Sequence, residues 1–223
     1  MRTVLVVTGG DPPHAGLVLP PADLVVAADS GADHAVALGL RVDVLVGDLD
    51  SIDPVTLAAV RAADGEVVRL PRDKDATDVE LALDAAWGRG AEALVLVGGH
   101  GGRLDHALAT MGALASVAAP GRRVEAWMGP AHVAVTVDEA PIAGRVGELV
   151  SLVPLGGAVD GVTTTGLRWP LAEAHLPFGS TWGVSNEVVV VDAGVAVTGG
   201  VLAVVRPHAL APEHDDPGHV PRP

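Results

Sequence analysis

The sequence predicts two structural classes in one chain, α/β and then all-β: an N-terminal doubly wound, mainly parallel α/β domain followed by a C-terminal antiparallel β-sandwich. In the first half, short continuous apolar runs alternate with helical segments, which is typical of strands buried on both faces of a parallel sheet. Beyond residue 121 no amphipathic helix of useful length follows, and short β-branched runs are separated by Gly and Pro. We therefore predict an α/β domain over residues 1–120 and a β-sandwich over residues 121–206.

Nine elements are predicted in the first half. Asp53 and Pro54 are typical of the start of a helix, as the cap and the first helical residue. Thr77 and Glu80 have the spacing of a capping box, which predicts the start of a further helix. The predicted strands cover residues 4–7, 24–28, 42–46, 67–70 and 93–97, and the predicted helices cover residues 35–40, 54–63, 77–87 and 106–117.

Six strands and a tail are predicted in the second half. Turn residues separate the β-branched runs at the spacing expected of an antiparallel sandwich. The last segment, residues 207–223, is rich in proline, histidine and alternating charges, and we predict that it is disordered. The predicted strands cover residues 124–128, 132–137, 149–153, 161–165, 187–191 and 201–205.

Composition argues against several classes of partner. A formal net charge of −14 argues against a nucleic-acid backbone, which would require a basic surface. The sequence has no apolar run long enough to span a membrane and no basic N-terminal segment followed by a cleavage site, so we expect a cytoplasmic protein without a membrane partner. Without cysteine, the chain has neither a disulfide framework nor a thiolate metal site.

Three acidic clusters each follow a predicted strand. They are Asp48 with Asp50, the aspartates of residues 73–78, and Asp105. Ligands bind beyond the carboxyl ends of the strands in an open parallel sheet, so these carboxylates are expected at one edge. Aspartates that gather there need a cation to share, and Mg²⁺ carrying a polyphosphate is the usual one.

Each cluster also has simpler interpretations. Asp-x-Asp is common in surface turns, and it also begins the motif of phosphohydrolases in which the first aspartate, here Asp48, is the nucleophile. Asp78 lies in a predicted first helical turn, where the helix dipole favours a carboxylate by ~0.3–1 kcal/mol. The same helix N-terminus, beside Lys74, would suit phosphate oxygens equally well.

A glycine-rich loop, residues 98–103, joins a predicted strand to a predicted helix. Its glycines allow backbone N–H groups to face an anion, although the spacing is neither that of Walker A nor that of the dinucleotide fingerprint. Arg103 would add a bidentate phosphate contact. His100 and His106 flank this arginine, and either histidine alone is more often structural than catalytic.

Two residues are unique in the sequence. Lys74 is the only lysine among 14 basic residues, and Asn186 is the only asparagine. Because the chain otherwise avoids both residue types, a requirement at these two positions is favoured over drift in a biased composition, which is the alternative for either residue alone.

Six motifs in order resemble those of the thiamine pyrophosphokinase family. In the first half they are residues 29–33 (DSGAD), 47–52 (GDLDSI), 73–78 (DKDATD) and 102–106 (GRLDH); in the second half they are residues 166–171 (GLRWPL) and 180–187 (STWGVSNE). The resemblance spans about residues 4–206. It implies an α/β catalytic domain followed by a β-sandwich, and a reaction that moves the diphosphoryl group of ATP onto the hydroxyethyl group of thiamine, releasing AMP.

The resemblance also implies roles for individual residues. Magnesium and the triphosphate would be held by a catalytic cluster of Asp48, Asp50, Asp78 and Asp105, with Asp48, Asp50 and Asp78 as metal ligands. ATP would contact Asp29, Ser51, Lys74, Gly102 and Arg103. Thiamine would contact Lys74, His106, Trp169, Trp182, Ser185 and Asn186, in a site shared between the two subunits of a homodimer.

Two alternatives remain open at this point. A metal-dependent phosphohydrolase would use Asp48 as a nucleophile and would not need the motif at residues 180–187. A non-catalytic nucleotide-binding protein on the same fold should have lost cluster aspartates, and all are present. The last predicted strand has no aromatic residue at 200–203 to stack on thiamine, so we expect Trp182 or aliphatic side chains in that place.

Overall fold

The first half of the chain is an α/β sheet, seen in a computed structural model that describes residues 1–73 and 75–210. Its strands all run parallel in the spatial order β4-β3-β2-β1-β5. The elements are β1 Thr3–Thr8, β2 Leu24–Ala28, α1 Gly31–Ala37, β3 Val44–Gly47, α2 Pro54–Ala62, β4 Glu66–Arg69, α3 Asp78–Gly88, β5 Ala93–Val97 and α4 Leu104–Val117.

Apolar packing covers both faces of this sheet. Alternate residues of β1 illustrate it, since Val4 and Val6 pack into one apolar cluster while Leu5 and Val7 pack into another on the opposite face. The chain adds β2 to β4 on one side of β1 and then crosses to add β5 on the other side. The connections therefore diverge between β1 and β5, and ligands bind beside such a switch point in doubly wound sheets.

The predicted helices are present, with one clear shift. The first helix starts at Gly31 rather than near residue 35, directly after β2. A side chain at Gly31 would lie 2.2 Å from the carbonyl oxygen of Val7, so only glycine lets this helix begin against the backbone of β1. The predicted caps are confirmed: Asp53 accepts a hydrogen bond from the Val55 N–H at 2.7 Å, and Thr77 accepts one from the Glu80 N–H at 3.2 Å.

The second half is built from antiparallel strands. Its elements are β6 Arg123–Met128, β7 Ala131–Thr136, β8 Glu139–Pro141, β9 Leu149–Thr165, β10 Ala174–Leu176, β11 Asn186–Glu187, β12 Gly194–Ala196 and β13 Gly199–Arg206. The sheet continues in the order β5-β6-β7-β13-β9-β12-β8. This succession of a parallel α/β unit and antiparallel strands confirms the predicted fold class.

One long strand, β9, joins the layers of the second half. Residues 151–155 pair with β13, whereas residues 163–165 pair with β12. A separate apolar cluster, which includes Leu152, Leu176 and Leu202, forms the core of this half. The sequence predicts two strands here, 149–153 and 161–165, because Gly and Pro lie between the β-branched runs; the structure instead shows one continuous strand.

The strand β6 links the two halves. It pairs parallel with β5 and antiparallel with β7, so the sheet is continuous across residue 121. The boundary at 120/121 stays a prediction. Residues 207–210 form a turn in which the Leu210 N–H donates to the Pro130 carbonyl at 3.1 Å, and the rest of the predicted tail, 211–223, lies outside the described residues.

Among the residues described, every helix is too short or too polar to cross a membrane.

Candidate active site

A cavity of about 610 Å³ opens at the carboxyl ends of the parallel strands. It is bounded by the segments that follow β1, β2, β3 and β5 and by the N-terminal turns of α3 and α4. The polar side chains that line it are Thr8, Asp29, Ser30, Asp48, Asp50, Ser51, Arg72, Thr77, Asp78, His100, Arg103, His106 and Thr110. The predicted convergence of first-half motifs on one sheet edge is therefore observed for several of the predicted residues.

Three carboxylates converge in this cavity. Asp29, Asp48 and Asp50 each place an oxygen within 4.8 Å of the others. Asp48 Oδ1 accepts from the Asp50 N–H at 3.1 Å, and the Ser51 hydroxyl donates to Asp50 at 2.7 Å. These short bonds fix the loop after β3 so that its two aspartates face the same space.

Asp29 is the buried member of the group. It is 9% exposed, and its Oδ1 has no hydrogen-bond partner in the part of the chain that the structure describes. Burial raises the pKa of Asp29, against the hydrogen bonds from Ser51 and Ser30, and nearby Asp78 and Asp48 raise it further. A buried carboxylate with an unused oxygen and like charges around it is stabilised by a proton or by a bound cation.

This donor set fits a divalent metal ion. It consists only of carboxylate oxygens, which Mg²⁺ and Ca²⁺ prefer. The sequence placed Asp29 among the ATP-binding residues, but the structure groups it with Asp48 and Asp50. Asp78, predicted as the third ligand, lines the same cavity from the first turn of α3.

Arg72 is a cavity residue that the sequence did not indicate. Its guanidinium hydrogen-bonds Asp50, and its Nε lies 3.8 Å from Asp48 Oδ2. The Ser51 hydroxyl and then Arg72 hold the pKa of Asp50 below its usual range. A cation of the protein therefore already occupies part of the space between two of the predicted metal ligands.

The glycine-rich loop has the backbone that an anion site requires. Gly98, Gly99, Gly101 and Gly102 all have positive φ, between 58° and 102°, a region that other residues rarely adopt. The loop leads into α4, a 14-residue helix whose free N–H groups begin at the cavity. Both features favour phosphate.

The side chains of this loop divide into two groups. Arg103 lines the cavity, but its guanidinium is paired with Asp105 through two hydrogen bonds, of 3.1 and 2.5 Å. Arg103 keeps the pKa of Asp105 low. Asp105 and Gly102 are exposed and do not contribute to the cavity wall, so the structure separates Asp105 from the three converged carboxylates.

Two histidines face the cavity. His106 lines it from the first turn of α4, and its predicted contact with thiamine stays a prediction. His100 also lines it, with a buried Nδ1 that no described residue hydrogen-bonds. The sequence had treated His100 as a flanking residue, and only the fold shows that its ring reaches this space. Lys74 lies outside the described residues.

The predicted thiamine residues of the second half lie elsewhere, around β11. Asn186 is buried and binds the backbone of Trp169 twice, accepting from its N–H at 3.1 Å and donating to its carbonyl at 2.8 Å. Asn186 Oδ1 also accepts from the Glu187 N–H at 2.8 Å. Ser185 is exposed at φ 61°, and Trp182 is 63% exposed. None of these four side chains lines the cavity of its own chain.

Two family models match this chain in the order of its two halves. The model described as "Thiamin pyrophosphokinase, catalytic domain" matches residues 16–126, and the one described as "Thiamin pyrophosphokinase, vitamin B1 binding domain" matches residues 135–202. The chain belongs to the thiamine pyrophosphokinase family. The first match includes the converged carboxylates and the glycine-rich loop, and the second includes β9 and the segment around Asn186.

Similar proteins span almost the whole chain. Thiamine pyrophosphokinase of Bacillus subtilis (strain 168) is 24% identical and covers 92% of this chain and 99% of its own length. The crystal structure of thiamine pyrophosphokinase from Bacillus subtilis has a TM-score of 0.79 at 25% identity and covers 92% of this chain and 98% of its own. The crystal structure from Geobacillus thermodenitrificans has a TM-score of 0.76 at 27% identity, with 92% and 97% covered.

Proposed function

We propose that this thiamine pyrophosphokinase family member transfers the diphosphoryl group of ATP to the hydroxyethyl oxygen of thiamine, with Mg²⁺, and releases AMP. One observation carries the proposal: three carboxylates converge within 4.8 Å beside a glycine-rich loop at the carboxyl edge of the sheet. A cavity with carboxylates on one wall and N–H donors on another suits a metal-bound polyphosphate.

Asp29, Asp48 and Asp50 would hold the Mg²⁺, with Asp78 beside them. The ion would neutralise charge on the polyphosphate, which otherwise repels an attacking oxygen. The chain's own contribution is orientation. Hydrogen bonds from Ser51 and from the Asp50 N–H fix two of the carboxylates, and burial fixes the third.

The opposite wall would bind phosphate oxygens. The glycine-rich loop and the N-terminus of α4 present backbone donors, and Arg103 offers a planar guanidinium that fits two oxygens. Ser51 and the N-terminus of α3 lie on the same cavity. Holding donor and acceptor in line accounts for much of the acceleration in phosphoryl transfer.

The acceptor half of the site is proposed to be completed by a second subunit. The predicted thiamine residues around β11 are away from the cavity of their own chain, and exposed apolar side chains lie among and near them. These are Trp169, Phe178, Trp182, Val184, Val189, Val190 and Val191, each at least 41% exposed. A homodimer that apposes this surface to a neighbour's cavity would cover the apolar side chains and join both halves.

Subunit mixing tests the shared site. Asp48→Asn subunits would be inactive alone, and Ser185→Gly subunits would have low activity at thiamine concentrations well below their Kd. At such concentrations, mixed dimers would regain activity at sites built from two intact halves. Mixed dimers that form, as seen by native mass spectrometry, but are no more active than the Ser185→Gly protein would place the whole site in one chain.

The decisive experiment for the reaction uses purified protein, ATP, Mg²⁺ and thiamine. We expect thiamine diphosphate and AMP in equal amounts, with no product in EDTA. A phosphohydrolase would instead release inorganic phosphate without thiamine and form a phosphoenzyme on Asp48. Inorganic phosphate as the only product would overturn the proposal.

A further inference from the structure

The guanidinium of Arg72 occupies the position of a cation in the carboxylate cluster. It hydrogen-bonds Asp50 and lies 3.8 Å from Asp48, two of the three carboxylates that converge. The remaining member, Asp29, has no cation paired with it among the described residues and keeps a buried oxygen unused. The cluster is therefore only partly neutralised by the protein.

Arg72 is held there by its hydrogen bond to Asp50 and its ion pairs with the two aspartates. Its side chain is 75% exposed, whereas those of Asp48 and Asp50 are 16% and 37% exposed. It lies in an irregular segment between β4 and α3, so a change of side-chain rotamer is enough to move the guanidinium without disturbing an element. The carboxylates, in contrast, are fixed by bonds within their own loop.

We propose that Arg72 is an exchangeable counter-ion: it partly neutralises Asp48 and Asp50 before metal binds, yields their oxygens to Mg²⁺, and then contacts the polyphosphate. This inference rests on the proposed function. Mg²⁺ carries twice the charge and approaches carboxylate oxygens to ~2.0–2.1 Å, so it displaces a monovalent guanidinium that needs the same oxygens.

The released guanidinium remains at the cavity wall. Arginine is always charged, and its planar fork matches two phosphate oxygens. The phosphates that arrive with the metal therefore replace the carboxylates as its partners. Arg72 would thus oppose metal binding in the absence of nucleotide and favour nucleotide binding in the presence of metal.

The proposal predicts that loss of Arg72 strengthens Mg²⁺ binding and weakens ATP binding, so the experiment measures both affinities. Isothermal titration of nucleotide-free protein with Mg²⁺ should show that Arg72→Ala binds the ion about two- to fivefold more tightly than the unsubstituted protein, the range of an exposed ion pair. Equilibrium dialysis with ATP at saturating Mg²⁺, without thiamine, should show roughly tenfold weaker ATP binding, as expected for one lost charge-assisted hydrogen bond.

Matched variants separate contact from net charge. Arg103→Ala also removes a cation from this cavity, but Arg103 pairs with Asp105 and not with the three carboxylates. Mg²⁺ affinity should therefore rise less in Arg103→Ala than in Arg72→Ala. Arg72→Lys keeps the charge and loses the fork; ATP should bind it more weakly than the unsubstituted protein, with Mg²⁺ affinity close to that of the unsubstituted protein. Arg61→Ala, on the exposed side of α2, should change neither affinity.

Each result decides the question. Equal Mg²⁺ affinity in the unsubstituted protein and Arg72→Ala, or an equal rise in Arg72→Ala and Arg103→Ala, would overturn the counter-ion role. Unchanged ATP affinity in Arg72→Ala would overturn the transfer to the polyphosphate. If the unsubstituted protein bound neither Mg²⁺ nor ATP, the proposed function itself would be wrong.

Discussion

The cavity in the first half and the segment around Asn186 in the second half differ in whether their buried polar groups have hydrogen-bond partners. In the cavity, Asp29 Oδ1 and His100 Nδ1 are buried without hydrogen-bond partners among the described residues. Asn186 is equally buried, but its amide makes three hydrogen bonds to the backbone. Buried polar groups are normally satisfied, so the two unsatisfied atoms that line the cavity are candidates for contact with a ligand.

This difference changes the interpretation of Asn186. Its uniqueness in the sequence favoured direct thiamine binding, and that role stays a prediction. The structure shows an internal use for both ends of its amide, which join the Trp169 segment to β11. Asn186 therefore supports the positions of Trp169 and Glu187 whether or not it also contacts a ligand.

The largest expected effect comes from the carboxylates. Asp48→Asn or Asp50→Asn should reduce turnover on the order of a hundredfold or more, by comparison with removal of one preorganised electrostatic contact. The fold should remain intact, because both side chains lie at the cavity and outside the apolar core, so the melting temperature in EDTA should change little. Steady-state assays and thermal melts with and without Mg²⁺ measure both effects.

Asp64→Asn is the matched control for these variants. Asp64 is exposed, lies outside the cavity and has a positive φ that asparagine tolerates. Its turnover should equal that of the unsubstituted protein. Full activity in both Asp48→Asn and Asp50→Asn would remove these carboxylates from the catalytic site.

Asn186→Ala should mainly affect stability. The variant leaves the N–H and carbonyl of Trp169 and the N–H of Glu187 without their partner, which we expect to cost about 2–4 kcal/mol of the free energy of unfolding. Urea denaturation measures this, and Mg²⁺ affinity of the folded fraction should not change. An unchanged unfolding midpoint together with lost thiamine binding would show that Asn186 is a ligand contact instead.

The contrast also explains which features were predictable. Runs such as residues 93–97 predicted strands correctly because burial on both sheet faces leaves a continuous apolar signature. The placement of Asp48 and Asp50 followed, since parallel strands end at one edge. The pairing of Arg72 with Asp50 depends on the course of an irregular segment, and the two bonds between Asn186 and Trp169 join residues 17 positions apart. Neither contact has a periodic signal in the sequence.

Ser185→Gly tests the acceptor side with a smaller effect. Glycine removes the hydroxyl and adopts the φ of 61° without strain, so the backbone is retained. Thiamine affinity should fall about tenfold, the lower end for one hydrogen bond to a charged ligand, while ATP affinity should be unchanged. Equal thiamine affinity in Ser185→Gly and the unsubstituted protein would exclude the hydroxyl from the site.

The smallest effect is expected at Asp138. This residue lies in the second half and bonds the segment that connects the two halves. Its carboxylate accepts from the Gly121 N–H at 3.0 Å, just before β6, and from the Glu139 N–H at 2.7 Å. The Gly121 bond and then the Glu139 bond lower the pKa of Asp138 below its ordinary value of 3.8. A carboxyl group whose pKa is lowered on folding stabilises the folded state at pH values above its ordinary pKa. This stabilisation is lost as the pH falls through the pKa of the folded state.

Asp138→Asn should therefore destabilise the protein at pH 7 by about 1 kcal/mol, because a neutral amide oxygen accepts the same bonds more weakly. The difference in urea midpoint between the two proteins should shrink below pH 3.8 and vanish once Asp138 is protonated in the folded state. Glu173→Gln, at an exposed carboxylate in the same half, should show no such pH dependence. A difference between Asp138→Asn and the unsubstituted protein that stayed constant from pH 7 to pH 3 would mean that the charge of Asp138 contributes nothing to stability.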